Sequence, residues 1–264
     1  MLEVNGSGFR TLRNLIITRG DESSDGVGGG IDFSGTGDLL LNGVIVSFNR
    51  AGNGGGINFK GSGGLAILTL EHDVVISNNT AIGAAGVFNT AGFGGGIHVE
   101  GTARLVMLGD SIAVTGNEAA GAPQAPPLTG LRGGNGGGVE VLGPARSDIG
   151  SPGLGNTGVI CANTARNGGG IAVTGADSSD DLDAQVRLVT TIATRPVRVH
   201  GNRASQQGGG IYVNPDFGID NVLNATFCAF DFRIDDNRAP EGSAIDADTD
   251  SGEASAATWE AAST

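Results

Sequence analysis

Residues 46–57 read Val-Ser-Phe-Asn-Arg-Ala-Gly-Asn-Gly-Gly-Gly-Ile, and variants of this stretch recur along the chain. Each copy has an aliphatic residue three positions before an Asn, an Ala two positions after it, and then a glycine cluster that ends in Ile or Val. A unit repeated every few tens of residues indicates a solenoid, in which each repeat packs only on its neighbours. The asparagines of the six copies are Asn49, Asn79, Asn117, Asn163, Asn202 and Asn237.

Short strand patterns surround each copy. After the glycines the order is apolar, variable, apolar, as in Ile57-Asn-Phe59. A second short apolar stretch, such as Val44 to Val46, precedes most of the asparagines, and no helical period is present. This pattern predicts one coil of a parallel β-helix per repeat. We therefore expect an all-β solenoid of about seven coils over residues 1–247, with loop insertions, followed by a low-complexity tail over 248–264.

The stacking of such coils gives the repeated residues a structural role. Neighbouring coils lie roughly 4.8 Å apart, so equivalent side chains form columns. We expect the asparagines to form a ladder, in which each amide bonds to the turn and to the next amide. The glycine clusters should supply positive φ angles and let successive coils approach closely.

The two repeated tetrapeptides resemble the FxxN and GGA[ILV] repeats of the polymorphic outer-membrane protein family. The first appears here as VxxN or IxxN, for example Val46–Asn49 and Ile160–Asn163, and the second as GGG[IV], for example 168–171. The resemblance covers roughly residues 10–247. It implies a right-handed parallel β-helix that is secreted or displayed on the bacterial cell surface or outer membrane. The chain departs from the family in its aliphatic first position, and it shows no stretch that resembles a membrane-embedded barrel.

Composition excludes several classes of protein. The chain has 28 acidic and 15 basic residues, a net charge of −13, and Lys60 is its only lysine, which argues against nucleic-acid binding. No run reaches the ~18 apolar residues of a membrane span.

Residues 1–4 do not resemble a leader, so we expect a portion of a longer exported polypeptide, with flanking parts as neighbours. Cys161 and Cys228 occupy different columns, which argues against a disulfide between them.

One enzymatic constellation can be assembled from the sequence. The middle residue after each glycine cluster should point outward, and His98, Glu100 and Glu140 would then stand close together on neighbouring coils. Glycosidases use two carboxyl groups at a set separation. The simpler interpretation is a solvated strand face, which we favour. The outward column in question comprises Asp32, Asn58, His98, Glu140, Ala172 and Tyr212.

Residues 176–183 form an acidic insertion whose carboxylates are candidate calcium ligands. Their spacing matches no EF-hand, and a solvated charged loop is the interpretation we favour. We therefore expect no metal and no cofactor. The four candidate ligands are Asp177, Asp180, Asp181 and Asp183.

From these features we expect a non-catalytic secreted or cell-surface β-helix protein, similar to an adhesin or passenger. Its loops and sheet faces would bind a host or neighbouring-cell surface protein or a glycan. The alternative is a carbohydrate-active β-helix enzyme, either a polysaccharide lyase or a glycoside hydrolase.

Overall fold

The computed structural model describes residues 1–83, 92–109, 111–120, 134–149, 158–175, 184–189, 197–214, 226–230, 232–242, 245–247 and 258–261. These residues form strands and no helix. The first three coils contain β1 (Leu2–Gly6), β2 (Phe9–Arg13), β3 (Ile16–Thr18), β4 (Asp21–Val27), β5 (Ile31–Gly35), β6 (Asp38–Asn42), β7 (Ile45–Ser47), β8 (Arg50–Asn53), β9 (Ile57–Leu70), β10 (Val75–Ser77) and β11 (Thr80–Ala81). The next two contain β12 (Ile97–Met107), β13 (Ala113–Thr115), β14 (Glu118–Ala119), β15 (Val139–Leu142), β16 (Arg146–Ile149), β17 (Val159–Cys161) and β18 (Thr164–Asn167). The remainder are β19 (Ile171–Thr174), β20 (Gln185–Val189), β21 (Val197–His200), β22 (Arg203–Gln207), β23 (Ile211–Asn214), β24 (Thr226–Phe230), β25 (Phe232–Asp235), β26 (Ile245–Ala247) and β27 (Thr258–Ala261).

The strands form three parallel sheets, which confirms the predicted parallel β-helix. Sheet A has 14 strands and contains the strands that follow the glycine clusters, sheet B has seven and runs from β3 to β25, and sheet C has six and runs from β4 to β22. The coils wind right-handed, as parallel crossovers almost always do. Seven coils are followed by the start of an eighth, because eight first positions of sheet A pair in succession: Leu2, Ile31, Ile57, Ile97, Val139, Ile171, Ile211 and Ile245.

Sheet pairing continues beyond residue 247. Strand β27, which lies within the segment expected to be a tail, pairs in parallel with β24, Thr226 opposite Thr258. The segment 248–264 therefore contributes a strand to sheet A.

The core consists of stacked apolar columns inside the coil. The first-position Ile and Val residues from Ile31 to Ile211 are fully buried. Two positions further on, Phe33 and Phe59 stack with ring centroids 4.3 Å apart, and valines continue that column in the later coils. Each coil buries these side chains only against its neighbours, so the register between coils sustains the core.

The predicted asparagine ladder is confirmed, and it is continuous. The side-chain Nδ2 of each ladder residue donates to Oδ1 of the next, at 2.9–3.0 Å from Asn49 to Asn237. The same Oδ1 also accepts from the backbone N–H of the preceding asparagine, at 2.9–3.0 Å. In the first coil Gly20 replaces the asparagine, and its N–H donates to Asn49 Oδ1 at 2.9 Å. The corner of this coil does not match the repeated cassette, because Gly20 stands where the other copies have the Asn.

The structure shows which residues supply the positive φ angles of each corner. The left-handed φ angle lies on the residue before each asparagine, for example 55° at Phe48 and 54° at Ala162, and the asparagines themselves are not among the residues with positive φ. Only the first glycine of each cluster has a positive φ, such as 66° at Gly136. The other two glycines serve close approach: a Cβ on Gly138 would lie 2.6 Å from Gly170 O and 2.9 Å from Asn163 Nδ2.

We predict that Asn163→Ala lowers the free energy of unfolding by about 2–4 kcal/mol, because it removes bonds to two neighbouring coils and leaves the Asn117 N–H without a partner. The adjacent exposed Thr164→Ala is the control and should change stability by less than about 0.5 kcal/mol. Urea titration of both variants measures the difference. Equal effects would contradict the structural role of the ladder.

A second pair of variants separates close approach from backbone strain. Gly138→Ala places a Cβ against a neighbouring carbonyl without any positive φ, whereas Gly201→Ala meets nothing within 4 Å but must hold a φ of 62°. We expect Gly201→Ala to cost about 1 kcal/mol through strain and Gly138→Ala to cost distinctly more. Thermal unfolding followed by circular dichroism provides the comparison, and a milder effect at Gly138 would refute the packing argument.

Candidate functional site

The structure places the three candidate catalytic residues on neighbouring coils. His98 in β12 pairs directly with Glu140 in β15, and Glu100 lies two residues after His98 on the same strand. The Glu100 carboxylate lies 3.0 Å from Lys60 Nζ in the preceding coil and 3.8 Å from His98 Nε2. Lys60, His98 and Glu100 therefore form a connected charged group, with Glu140 beside it.

The expectation of a solvated face is wrong for Asn58, His98 and Glu140, whereas Lys60 is exposed and Glu100 is partly exposed. Asn58 and His98 are each 2% exposed and Glu140 is fully buried. The physical reason is the left-handed glycine, which folds the preceding turn back over the strand: a Cβ on Gly136 would lie 2.9 Å from Glu140 Cα. The ring of Phe93 stacks on the His98 imidazole, with centroids 5.8 Å apart.

This cover repeats from coil to coil. The residue before each glycine cluster pairs in parallel with its counterpart in the next coil, Phe93 with Asn135 and Asn135 with Asn167. Because Phe93 covers the residue five positions later, Asn135, which is itself 4% exposed, occupies the equivalent position for Glu140. The spacing of five residues across the glycine cluster is the sequence signal that could have identified the cover.

The surroundings of the two carboxyl groups give them opposite ionisation. Desolvation raises the pKa of Glu140 to about 8, and the nearby Thr174 hydroxyl offsets this only in part because it does not reach hydrogen-bond geometry with either carboxyl oxygen. Burial alone would also raise the pKa of Glu100, but His98 and then Lys60 outweigh it and lower that pKa to about 2. At neutral pH Glu140 is protonated and Glu100 is ionised.

Several buried polar atoms of this column and of the nearby Thr174 have no hydrogen-bond partner. They are Asn58 Oδ1, His98 Nδ1, Thr174 Oγ1 and both carboxyl oxygens of Glu140. The Asn58 amide nitrogen does donate, to Asp32 Oδ1 at 2.8 Å. Desolvation raises the pKa of Asp32, and the bond from Asn58 partly opposes that shift. A protonated acid and an ionised carboxylate in adjacent coils can support acid–base chemistry, but a substrate could reach Glu140 only if the cover moved.

The other candidate sites have different outcomes. Asp177, Asp180, Asp181 and Asp183 lie outside the described residues. Within the part of the chain that the structure describes, no group of three or more His, Cys, Asp or Glu side chains is placed to hold a metal ion. Cys161 is a free thiol, and it donates to Thr115 Oγ1 at 3.3 Å.

One surface contact was missed by sequence reasoning. Arg104 donates through Nε to Asp148 Oδ2 at 2.7 Å, from β12 to β16. Arg104 is paired with Arg146 and Asp148 with Val106, so the contact is diagonal. Such a pair becomes recognisable only after the register is known.

No family model, curated protein or solved structure gives a significant match to this chain. The resemblance to the polymorphic outer-membrane protein repeats therefore rests on the tetrapeptides alone. Among the described residues there is no helix of the length and apolarity that a membrane crossing requires.

The raised pKa of Glu140 predicts a pH-dependent stability. The folded protein holds a proton that the unfolded chain releases above pH 4.5, so the stability of the parent protein should fall as pH rises from about 4.5 to about 8. Glu140→Gln removes this contribution and should become the more stable protein at alkaline pH.

Urea titrations at about pH 5 and about pH 9 test this prediction. Glu100→Gln is the matched control: the stabilisation from its lowered pKa is lost only as pH falls from 4.5 towards about 2, so its difference from the parent should stay constant across that range. An advantage of Glu140→Gln that does not grow with pH would contradict the prediction.

Proposed function

We propose that this protein is a non-catalytic binding protein, secreted or displayed on the bacterial surface, which attaches through one side of its β-helix to a glycan or protein on a host or neighbouring cell. The observation that carries the proposal is an uncharged stripe on the outside of sheet B. This neutral stripe comprises Ile16, Ile45, Val75, Ala113 and Val159 and, beside them, Thr18, Ser47, Ser77, Thr115 and Cys161.

The composition of the neutral stripe suits a contact surface. Its five coils extend over about 19 Å at the usual spacing between strands. Ile16 is 70% exposed, Ile45, Val75 and Val159 are partly exposed, and Ser47 and Ser77 are buried. The centre of a protein interface is depleted in charge, and this stripe carries none although the chain has a net charge of −13.

The outer column of sheet C offers a contrast. It contains charged residues in most coils, in the order Asp21, Arg50, Thr80, Glu118, Thr164 and Arg203. A partner that covered this column would have to desolvate those charges, which is costly. The neutral stripe is therefore the better candidate for a binding surface.

A second candidate function, a carbohydrate-active enzyme, is favoured by the opposite ionisation of Glu100 and Glu140. Glycosidases use such a pair of carboxyl groups. The burial of His98 and Glu140 argues against it, because no substrate reaches them in this conformation.

The test is binding of the purified chain to a glycan array and to intact cells, with Val75→Glu as the probe. A charge in the centre of the neutral stripe should weaken binding by about tenfold or more. Ile67→Glu is the matched control, since Ile67 is also a partly exposed aliphatic residue but lies on sheet A. It should bind as the parent does.

Assay of reducing-end release from the bound glycans separates the two functions. We expect no release. Release that disappears in Glu140→Gln would establish the enzymatic function instead, and unchanged binding by Val75→Glu would remove the neutral stripe as the binding surface.

A further inference from the structure

Three chemically reactive side chains lie in line on the outer face of sheet B. Cys161 in β17 pairs directly with His200 in β21, and His200 pairs directly with Asp235 in β25. All three are partly exposed. The imidazole thus has a thiol in the coil on one side and a carboxylate in the coil on the other.

We propose that Cys161 is a nucleophilic acyl-acceptor site, with His200 as its general base and Asp235 as the residue that positions His200. Nucleophile, base and orienting carboxylate must follow one another in a line, and successive coils of a parallel β-helix provide that order. The substrate class is an activated acyl compound, a thioester or an ester.

The line does not suit a metal ion. A metal needs its ligands to converge on one point, whereas Cys161 and Asp235 lie two coils apart, roughly 9.6 Å along the stack. No metal-binding group of three such side chains is present among the described residues, in agreement with this geometry. A proton relay needs contact only between neighbours.

The surroundings support the assigned roles. Arg198 Nη2 lies 3.5 Å from Asp235 Oδ2, which holds one carboxylate oxygen on the outer face beside His200. The Cys161 thiol donates to Thr115 Oγ1 on its other side at 3.3 Å. Rotation about the Cα–Cβ bond of Cys161 would turn the thiol from Thr115 towards His200, since coils are separated by only about 4.8 Å.

The acyl transfer balances without a further reactant. The Cys161 sulfur forms a bond to the acyl carbon, and the bond from that carbon to the leaving oxygen or sulfur breaks. The thiol proton passes to His200 and then to the leaving group. The product is a thioester on Cys161.

The test uses the full chain and p-nitrophenyl acetate, with acetylation of Cys161 and Cys228 followed separately by peptide-resolved mass spectrometry. At neutral pH we expect Cys161 in the protein to react at least about tenfold faster than in a free peptide of residues 158–164, a modest value for general base catalysis. His200→Gln should abolish the advantage, and His72→Gln, at an exposed histidine elsewhere, should keep it.

Asp235 is tested by its effect on pH dependence. Asp235→Asn should slow acetylation and alter its pH profile, and Asp235→Glu should restore both, which a purely structural role would not produce. A rate for Cys161 equal to that of the peptide would overturn the proposal, as would a rate in folded His200→Gln within about twofold of the parent. If His200→Gln does not fold, the comparison of the parent protein with the peptide decides the question.

Discussion

The structure depends on the ladder amides, because each of them bonds to both neighbouring coils at once. An asparagine such as Asn117 donates to Asn163 in the next coil and to the Ile76 carbonyl in the preceding one, so it is satisfied only when the coils lie directly above one another. Since the ladder is buried, any shift in register would leave several polar groups without partners at once. The corner is therefore fixed, and the lengths of the segments between corners can vary from coil to coil.

The same register determines which side chains are accessible. The ladder faces the third glycine of each cluster, as Asn163 faces Gly138, so nothing larger than glycine fits there. The first glycine then turns the chain back over the strand that follows, which buries the column of His98 and Glu140. Residues that would be solvated on an open strand thus become desolvated, and this is why Glu140 retains its proton near neutral pH.

The fold could be predicted because residues that recur at the same position of each repeat lie in the same column of the stack. The ladder, the inward Ile and Val column and the glycine contacts all follow from the positions of these residues within the repeat. The predicted solvent exposure of Glu140 was wrong because alternation along a strand shows which side a residue faces. It does not show which other residues cover that side. The cover comes from Phe93 and its equivalents, which vary in type and precede the glycines. The repeats also did not show that the ladder extends into the first coil, where Gly20 continues it with its backbone N–H and contributes no side chain.

A stacked scaffold favours particular kinds of site. Neighbouring coils bring side chains together in rows, in which each lies beside the one before and the one after. The outer face of sheet B therefore carries an extended uncharged surface and, beyond it, a line of chemically reactive side chains. There the neutral stripe ends in Thr115 and Cys161, and the same column continues to His200 and Asp235. A change from hydroxyl-bearing residues to a thiol, an imidazole and a carboxylate along one column alters its chemistry while the backbone register that supports it stays the same.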